Sequence, residues 1–345
     1  MPLPEVLDLL QELVSIPGPP GQEGLVAEAL AHHVSTLGLT PTVDAKGNLL
    51  VKIGDGDPNI VVTAHMDEIA MIVRSVEPDG TLTVGALGGL HPWKVGEGPV
   101  LILADEEECN GVLSFGSVHT EDEASVVRLA DESGLDWAMV SVATGQDADR
   151  LVEVGVRPGT RVVIHPSRRG LTRLGEHVAG FFLDDRSDLV AWILALEALK
   201  GTAANALFAA TVSEEVGGHG ALYLLHRIQP DVCIALELGP TADDAPVELT
   251  DQPTVWSNDS YAAMSPRDAK LVDEAGQELG FDLQFQTLSR GGSDASCAAS
   301  HGLCARAITL GIPMANSHGY EIVHPRAMSN LARLTARLVT VLSAP

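Results

Sequence analysis

Apolar residues recur at helical spacing near the start of the chain, where Val6, Leu9, Leu10, Leu13 and Val14 share one face of a helix over about residues 4 to 15. The breaker run IPGPPGQEG stops it, and a second helical pattern spans about Leu25 to Leu37. Two β-rich runs follow, Gly47 to Ile53 and Asn59 to Ala64. The second lacks polar alternation, as expected of a central strand covered on both faces. Between 70 and 172 the texture changes to short alternating segments, TLTVGAL, PVLILAD, GVLSFG and TRVVIH, with one helical pattern near Glu121 to Glu132. Longer helical patterns then return at Leu189 to Leu199, Ala221 to Ile228, Pro266 to Leu279 and Ser293 to Ser300. They alternate with strands at Ala206 to Val212 and Val232 to Leu236, which predicts an α/β domain with helices on a mixed sheet. The simplest organisation is an α/β domain formed by residues 1–69 and 173–345, interrupted by a small β-rich insert at 70–172.

With 345 residues the chain has room for a full core, as one large domain or two ordinary ones. Nothing approaches the ~18 consecutive apolar residues of a membrane span, so no membrane partner is expected. The net charge of -26, from 47 acidic against 21 basic residues, repels nucleic acid and anionic lipid. The first residues, MPLPEVLDLLQELVSIPGPP, lack the basic start and unbroken apolar stretch of a signal peptide, which makes the cytoplasm the expected location. Cys109, Cys233, Cys297 and Cys304 show no C-x-x-C spacing, so neither a disulfide framework nor a thiolate zinc site is expected, and all four read as reduced and mostly buried.

Acid and imidazole side chains gather just past apolar segments. VVTA leads to His65-Met66-Asp67, FFL to Asp184-Asp185, the strand ending in Val212 to Glu214-Glu215, and CIAL to Glu237. Ligands of open α/β sheets collect beyond the carboxyl ends of strands, so four such places in one chain argue for a shared site. Imidazole with carboxylate and no thiolate suits Zn²⁺, Co²⁺, Mn²⁺ or Ni²⁺. In His65-x-Asp67 the two side chains share a face if the strand continues, which lets Asp67 accept the second imidazole N–H and fix its tautomer. A solvated strand end is the bland reading of Glu214-Glu215, and their apolar flanks argue against it. Arg290-Gly291-Gly292-Ser293-Asp294 reads equally as a cleft loop or as simple helix capping, and His219 as a cleft or a surface residue.

The set AHMDE, FLDDRSD, SEEVGGHG, ALE and NSHGYE, in this order, resembles the co-catalytic dimetal aminopeptidases, in particular the glutamyl or deblocking aminopeptidase family that includes the tetrahedral, dodecameric enzymes. LLQELVSIPGPPGQEG, VGVRPGTRVVIHP and RGGSDAS extend the resemblance over most of the chain. It implies a mixed-sheet α/β exopeptidase domain with an inserted barrel or PDZ-like domain that provides oligomer contacts and limits substrate access. It further implies two divalent ions per subunit, Zn²⁺ ahead of Co²⁺, Mn²⁺ or Ni²⁺, with His65 and Glu237 on one, Asp184 bridging, and Glu215 and His318 on the other. Asp67 would orient His65, and Glu214 would act as general base on a hydroxide shared by the metals. A cis peptide is implied between Asp184 and Asp185. Two positions depart from the family's usual pattern: Asp188 replaces a small residue, and Glu237 stands where many members carry aspartate.

The resulting expectation is a homo-oligomeric aminopeptidase, dimer-based and up to a dodecamer, that removes N-terminal residues from short peptides. The run SHGYEIVH is similar to a bacterial branch associated with an N-acetylglutaminylglutamine osmolyte, which raises the alternative of a metal-dependent deacylase or amidase acting on a small acylated dipeptide. A non-catalytic metal-binding assembly module is a further alternative, opposed by the retention of Glu214. A glycosidase would need two carboxyls facing each other across a sugar, roughly 5 to 10 Å apart, and would leave the histidines without a role.

Overall fold

In this computed structural model, which describes residues 1–344, the strands of the larger part alternate their side chains between two cores. Ile60, Val62 and Ala64 of strand Ile60–His65 point into one apolar cluster and Val61 into the other. The same division holds for Ala206, Phe208 and Ala210 against Leu207 and Ala209, and for Ile234 and Leu236 against Cys233 and Ala235. Both faces are covered, so these strands read as unbroken apolar runs. Each large aliphatic side chain buried in this way contributes about 1.5–3 kcal/mol.

Strands Ala206–Thr211, Ile60–His65, Val232–Pro240 and Arg306–Ala315 are neighbours in that order and run parallel. Antiparallel partners extend the sheet on both sides, Leu49–Ile53 beside Ala206–Thr211 and Thr254–Asn258 beside Arg306–Ala315. The parallel strands aim their carboxyl ends the same way, which gathers the residues that follow them. One face carries helices Leu3–Ser15, Gly24–Thr36, Leu183–Leu199, Pro266–Leu279 and Arg326–Leu342, and the other carries His219–Ile228 and Asp294–Ser300. Helix Leu183–Leu199 lies deepest, with Trp192 fully buried edge-on to Phe208 at 5.8 Å between ring centroids.

Contacts divide the chain into two compact units. The first comprises Met1–Glu68, Leu171–Ser317 and the chain from Glu321 on; the second comprises Ile69–Gly170 with His318–Tyr320. His318, which falls in the α/β part by sequence position, thus groups with the second unit. That unit is a closed antiparallel barrel of Ala70–Val76, Leu82–Leu87, Ser141–Ala143, Glu108–Ser114, Gly98–Leu103 and Arg161–Ile164. Met71, Leu82, Val100, Ile102, Leu113, Val142 and Val162 are buried in it. Its helix Val126–Ser133, capped by Ser125, has no buried residue.

Four elements differ from the pattern read along the chain. Glu237 lies inside strand Val232–Pro240 and not past its end, because the poor strand formers Glu237, Gly239 and Pro240 mask a continuation that pairing with Arg306–Ala315 supplies. The buried helix begins at Leu183 and not at Leu189, since the polar run DDRSD hides its first turns. Strand Arg306–Ala315 and helix Arg326–Leu342 were not apparent from the hydrophobic pattern.

Candidate metal centre

Past strand Ala206–Thr211 the chain makes a turn that side chains from distant segments hold. The buried Asn48 amide oxygen accepts the Val212 N–H at 3.1 Å. Glu23 Oε1 accepts the Ser213 N–H at 3.0 Å, and Ser213 itself adopts a left-handed φ of 57°. Asp67 Oδ1 accepts the Glu214 N–H at 2.9 Å and Asp67 Oδ2 the Glu215 N–H at 3.0 Å. The N–H groups of Gly217 and Gly218 then close back onto the Glu214 carbonyl, both at 2.9 Å, and both glycines have positive φ. At Gly220 a Cβ would meet Asn48 Oδ1 and the Val212 carbonyl oxygen at 2.4 Å, so only glycine fits beneath the turn. The adjacent glutamates are presented by a rigid backbone.

Opposite the turn, the next parallel strand ends at His65, whose backbone N–H donates to Asp185 Oδ2 at 2.7 Å. Its Nδ1 lies 3.0 Å from the Asp67 main-chain carbonyl and 3.5 Å from Asp67 Oδ1, so the carbonyl is the nearer holder of the ring. Its Nε2 lies 3.2 Å from Asp184 Oδ1 and 3.9 Å from Glu237 Oε1. Asp184 and Asp185 are joined by a cis peptide and depart from helical geometry at the start of helix Leu183–Leu199. The Asp184 N–H donates to Glu321 Oε2 at 3.0 Å. Arg186, fully buried, donates to the Met66 carbonyl and, at 3.2 Å, to the equally buried Glu68.

Two groups of ligand atoms converge. Those of His65, Asp184 and Glu215 lie within 4.8 Å of one another, as do those of His65, Glu214 and Glu237. Burial pushes the Glu214, Glu215 and Glu237 carboxyls well above the usual carboxylate range, and neighbouring acids push further: Asp294 and Glu215 at Glu214, Asp184 at both Glu215 and Glu237. Burial would lower the His65 value, but the carboxylates of Asp185, Asp184 and Asp67 outweigh it and hold the imidazole well above its ordinary range. Asp185 and Asp188 are likewise raised, by burial and then by nearby acids; Ser187 donates to Asp188 Oδ2 at 3.1 Å. So many enclosed acids demand positive charge. Arg186 is committed to Glu68 and Met66, whereas two divalent cations bound by imidazole and carboxylate would supply the balance. The donor set fits the dimetal site.

His318, in the second unit, has φ 58° and lies 3.0 Å from the Gly89 carbonyl through Nδ1; a Cβ on Gly89 would strike its ring at 2.6 Å. His219 is exposed at the start of helix His219–Ile228, and Arg290 is exposed as well. Ser293, not Asp294, caps helix Asp294–Ser300, in a capping box with Ser296. Asp294 instead accepts the Thr211 hydroxyl at 2.6 Å, and burial pushes its carboxyl up to about 6.

A family model described as M42 glutamyl aminopeptidase matches residues 47–334. The chain belongs to that family. Among curated relatives of this M42 peptidase, the lysyl aminopeptidase of Pyrococcus furiosus is 28% identical over 343 residues, covering 96% of each chain. The glutamyl aminopeptidase of Lactococcus lactis is 24% identical over 332 residues, covering 92% of this chain and 91% of its own. The solved TET1 peptidase of Pyrococcus horikoshii, described as assembling into a tetrahedron or a large octahedral shell, superposes with a TM-score of 0.86 at 26% identity over 97% of this chain and 99% of its own. This M42 peptidase is accordingly a metallo-aminopeptidase of the dimetal type. Glu23, Asn48, Glu68 and Glu321 hold the segments that carry the candidate ligands, yet no local pattern marks them for that work. The bonds named above join them to residues 118 to 190 positions away.

Proposed function

We infer that this M42 peptidase removes N-terminal residues from short peptides, with His65 and Glu237 on one cation, Asp184 shared, and Glu215 on the other. His318 is assigned to the second cation on the sequence resemblance alone. Zn²⁺ is the preferred metal, because imidazole and carboxylate donors without thiolate suit it. When bound, the two cations would polarise the scissile carbonyl and ease deprotonation of water. Glu214 would take that proton and return it to the departing amine. Asp67 would set where the Glu214 carboxylate can reach by fixing its backbone, while the main-chain carbonyl of Asp67 keeps the His65 Nε2 turned toward Asp184 and Glu237. The clustering of ligand atoms from His65, Asp184, Glu215 and Glu237, with Glu214 beside them, carries this reading.

The chain is inferred to form a homo-oligomer. Leu129 in helix Val126–Ser133 is 40% exposed and Val118 before it 72%, so apolar surface of the second unit is left for another copy to cover. An assembly of this kind, with the second unit contributing contacts and limiting access, would favour short substrates. We propose a cytoplasmic location, with no nucleic-acid or membrane partner; none of the helices among the described residues is long and apolar enough to cross a membrane.

The test is a screen of the metal-reconstituted chain over aminoacyl-anilides, blocked peptides and acylated dipeptides. The reading expects turnover of the free-amine anilides. Turnover of acylated dipeptides alone would replace it with an amidase.

A further inference from the structure

We propose that Glu23 is a positioning residue for the aminopeptidase reaction, acting through Ser213 on the carboxylate of Glu214; this rests on the assignment of Glu214 as base. Glu23 occupies the N-cap position of helix Gly24–Thr36, and its side chain makes no cap hydrogen bond there. It turns inward and is 5% exposed. One oxygen, Oε1, accepts three hydrogen bonds: from the Gly21 N–H at 2.8 Å, the Ser213 N–H at 3.0 Å and the Ser213 hydroxyl at 3.3 Å.

Ser213 is the point where this hold matters. It is 6% exposed, precedes Glu214 directly, and holds a left-handed φ of 57° that a residue with a Cβ adopts only at a cost. Without Glu23 its buried N–H loses its acceptor, and both penalties relax together by rotating the backbone at Ser213. Asp67 still grips the amides of both Glu214 and Glu215, so the displacement is small and falls first on Glu214, which follows Ser213 directly, one residue ahead of the ligand Glu215. Base alignment is therefore expected to suffer before metal binding does. Misplacement of a catalytic group by about 1 Å costs on the order of 10²-fold in rate.

The test uses the metal-loaded full chain and an aminoacyl-anilide, with Glu214→Gln alongside. Glu23→Ala should lower kcat at least about tenfold, with KM within about twofold of wild type and two cations per chain retained. Glu23→Gln keeps an Oε1 that can accept the same three hydrogen bonds and should restore kcat to within about threefold. Glu23→Asp keeps the charge but falls short of Ser213 and should behave like the alanine variant, which preserves the test if Glu23→Ala does not fold. Wild-type kcat in Glu23→Ala, a loss that follows metal loss or KM, or rescue by aspartate and not glutamine would each overturn the assignment. If Glu214→Gln turns over at the wild-type rate, the base assignment has failed instead; if it is inactive while Glu23→Ala is unimpaired, only the positioning role has.

Discussion

Asp67 Oδ1 accepts the backbone N–H of Glu214 at 2.9 Å, across 147 residues of sequence. Its second oxygen does the same for Glu215, so one fully buried carboxylate fixes the main chain of both glutamates while its own carbonyl meets His65. Replacing Asp67 with Ala leaves two amides without acceptors, at about 1–3 kcal/mol each. The expected result is a fall in Tm together with a loss of at least about 10²-fold in kcat, since the alignment of Glu214 goes with the hydrogen bonds. Melting curves and initial rates on the same preparation check it, and a variant with wild-type kcat contradicts it.

Glu68 and Arg186 form an ion pair at 3.2 Å in which both side chains are fully buried. Glu68→Ala should destabilise the fold by about 3–5 kcal/mol by leaving the guanidinium without its counter-charge. Denaturant titration measures the cost. A loss below about 1 kcal/mol would show that Glu68 does not balance that charge.

Metal removal should make stability depend on pH in a defined direction. In the metal-free chain, burial with neighbouring acids raises the carboxyls of Glu214, Glu215 and Glu237 above 4.5, and the surrounding carboxylates, outweighing burial, raise His65 above 6.5. Groups whose folded-state value exceeds the unfolded one favour the protonated fold. Their contribution is complete below the unfolded values and is lost as pH rises through the raised ones. The Tm of the metal-free chain should therefore fall as pH rises above 4.5 through the raised values, and saturating zinc should flatten the curve. Asp294, moved from 3.8 to about 6, adds its part between those two values, which Asp294→Asn should remove. A metal-free Tm that rises over this range contradicts the account.

The parallel strands were legible because double coverage leaves an apolar run that nothing else explains, as at Ile60–His65. The chemistry at their ends was legible because acids beside such runs are costly without a purpose. The contacts of Glu23, Asn48, Glu68 and Glu321 were not, since each is made by tertiary closure between segments far apart in sequence and leaves no local period. Glu237 and the first turns of helix Leu183–Leu199 were misread for the opposite reason: local propensity pointed away from elements that tertiary pairing and burial enforce.

The central claim is that Glu214 moves the proton while its neighbour Glu215 holds a cation. Glu214→Gln keeps the size and the backbone N–H that Asp67 holds, and removes only the basic oxygen. The deciding measurement is the metal content of this variant by mass spectrometry beside its kcat on an aminoacyl-anilide. The account predicts two bound divalent ions per chain with kcat lowered by at least about 10²-fold; wild-type kcat with both ions in place would contradict it.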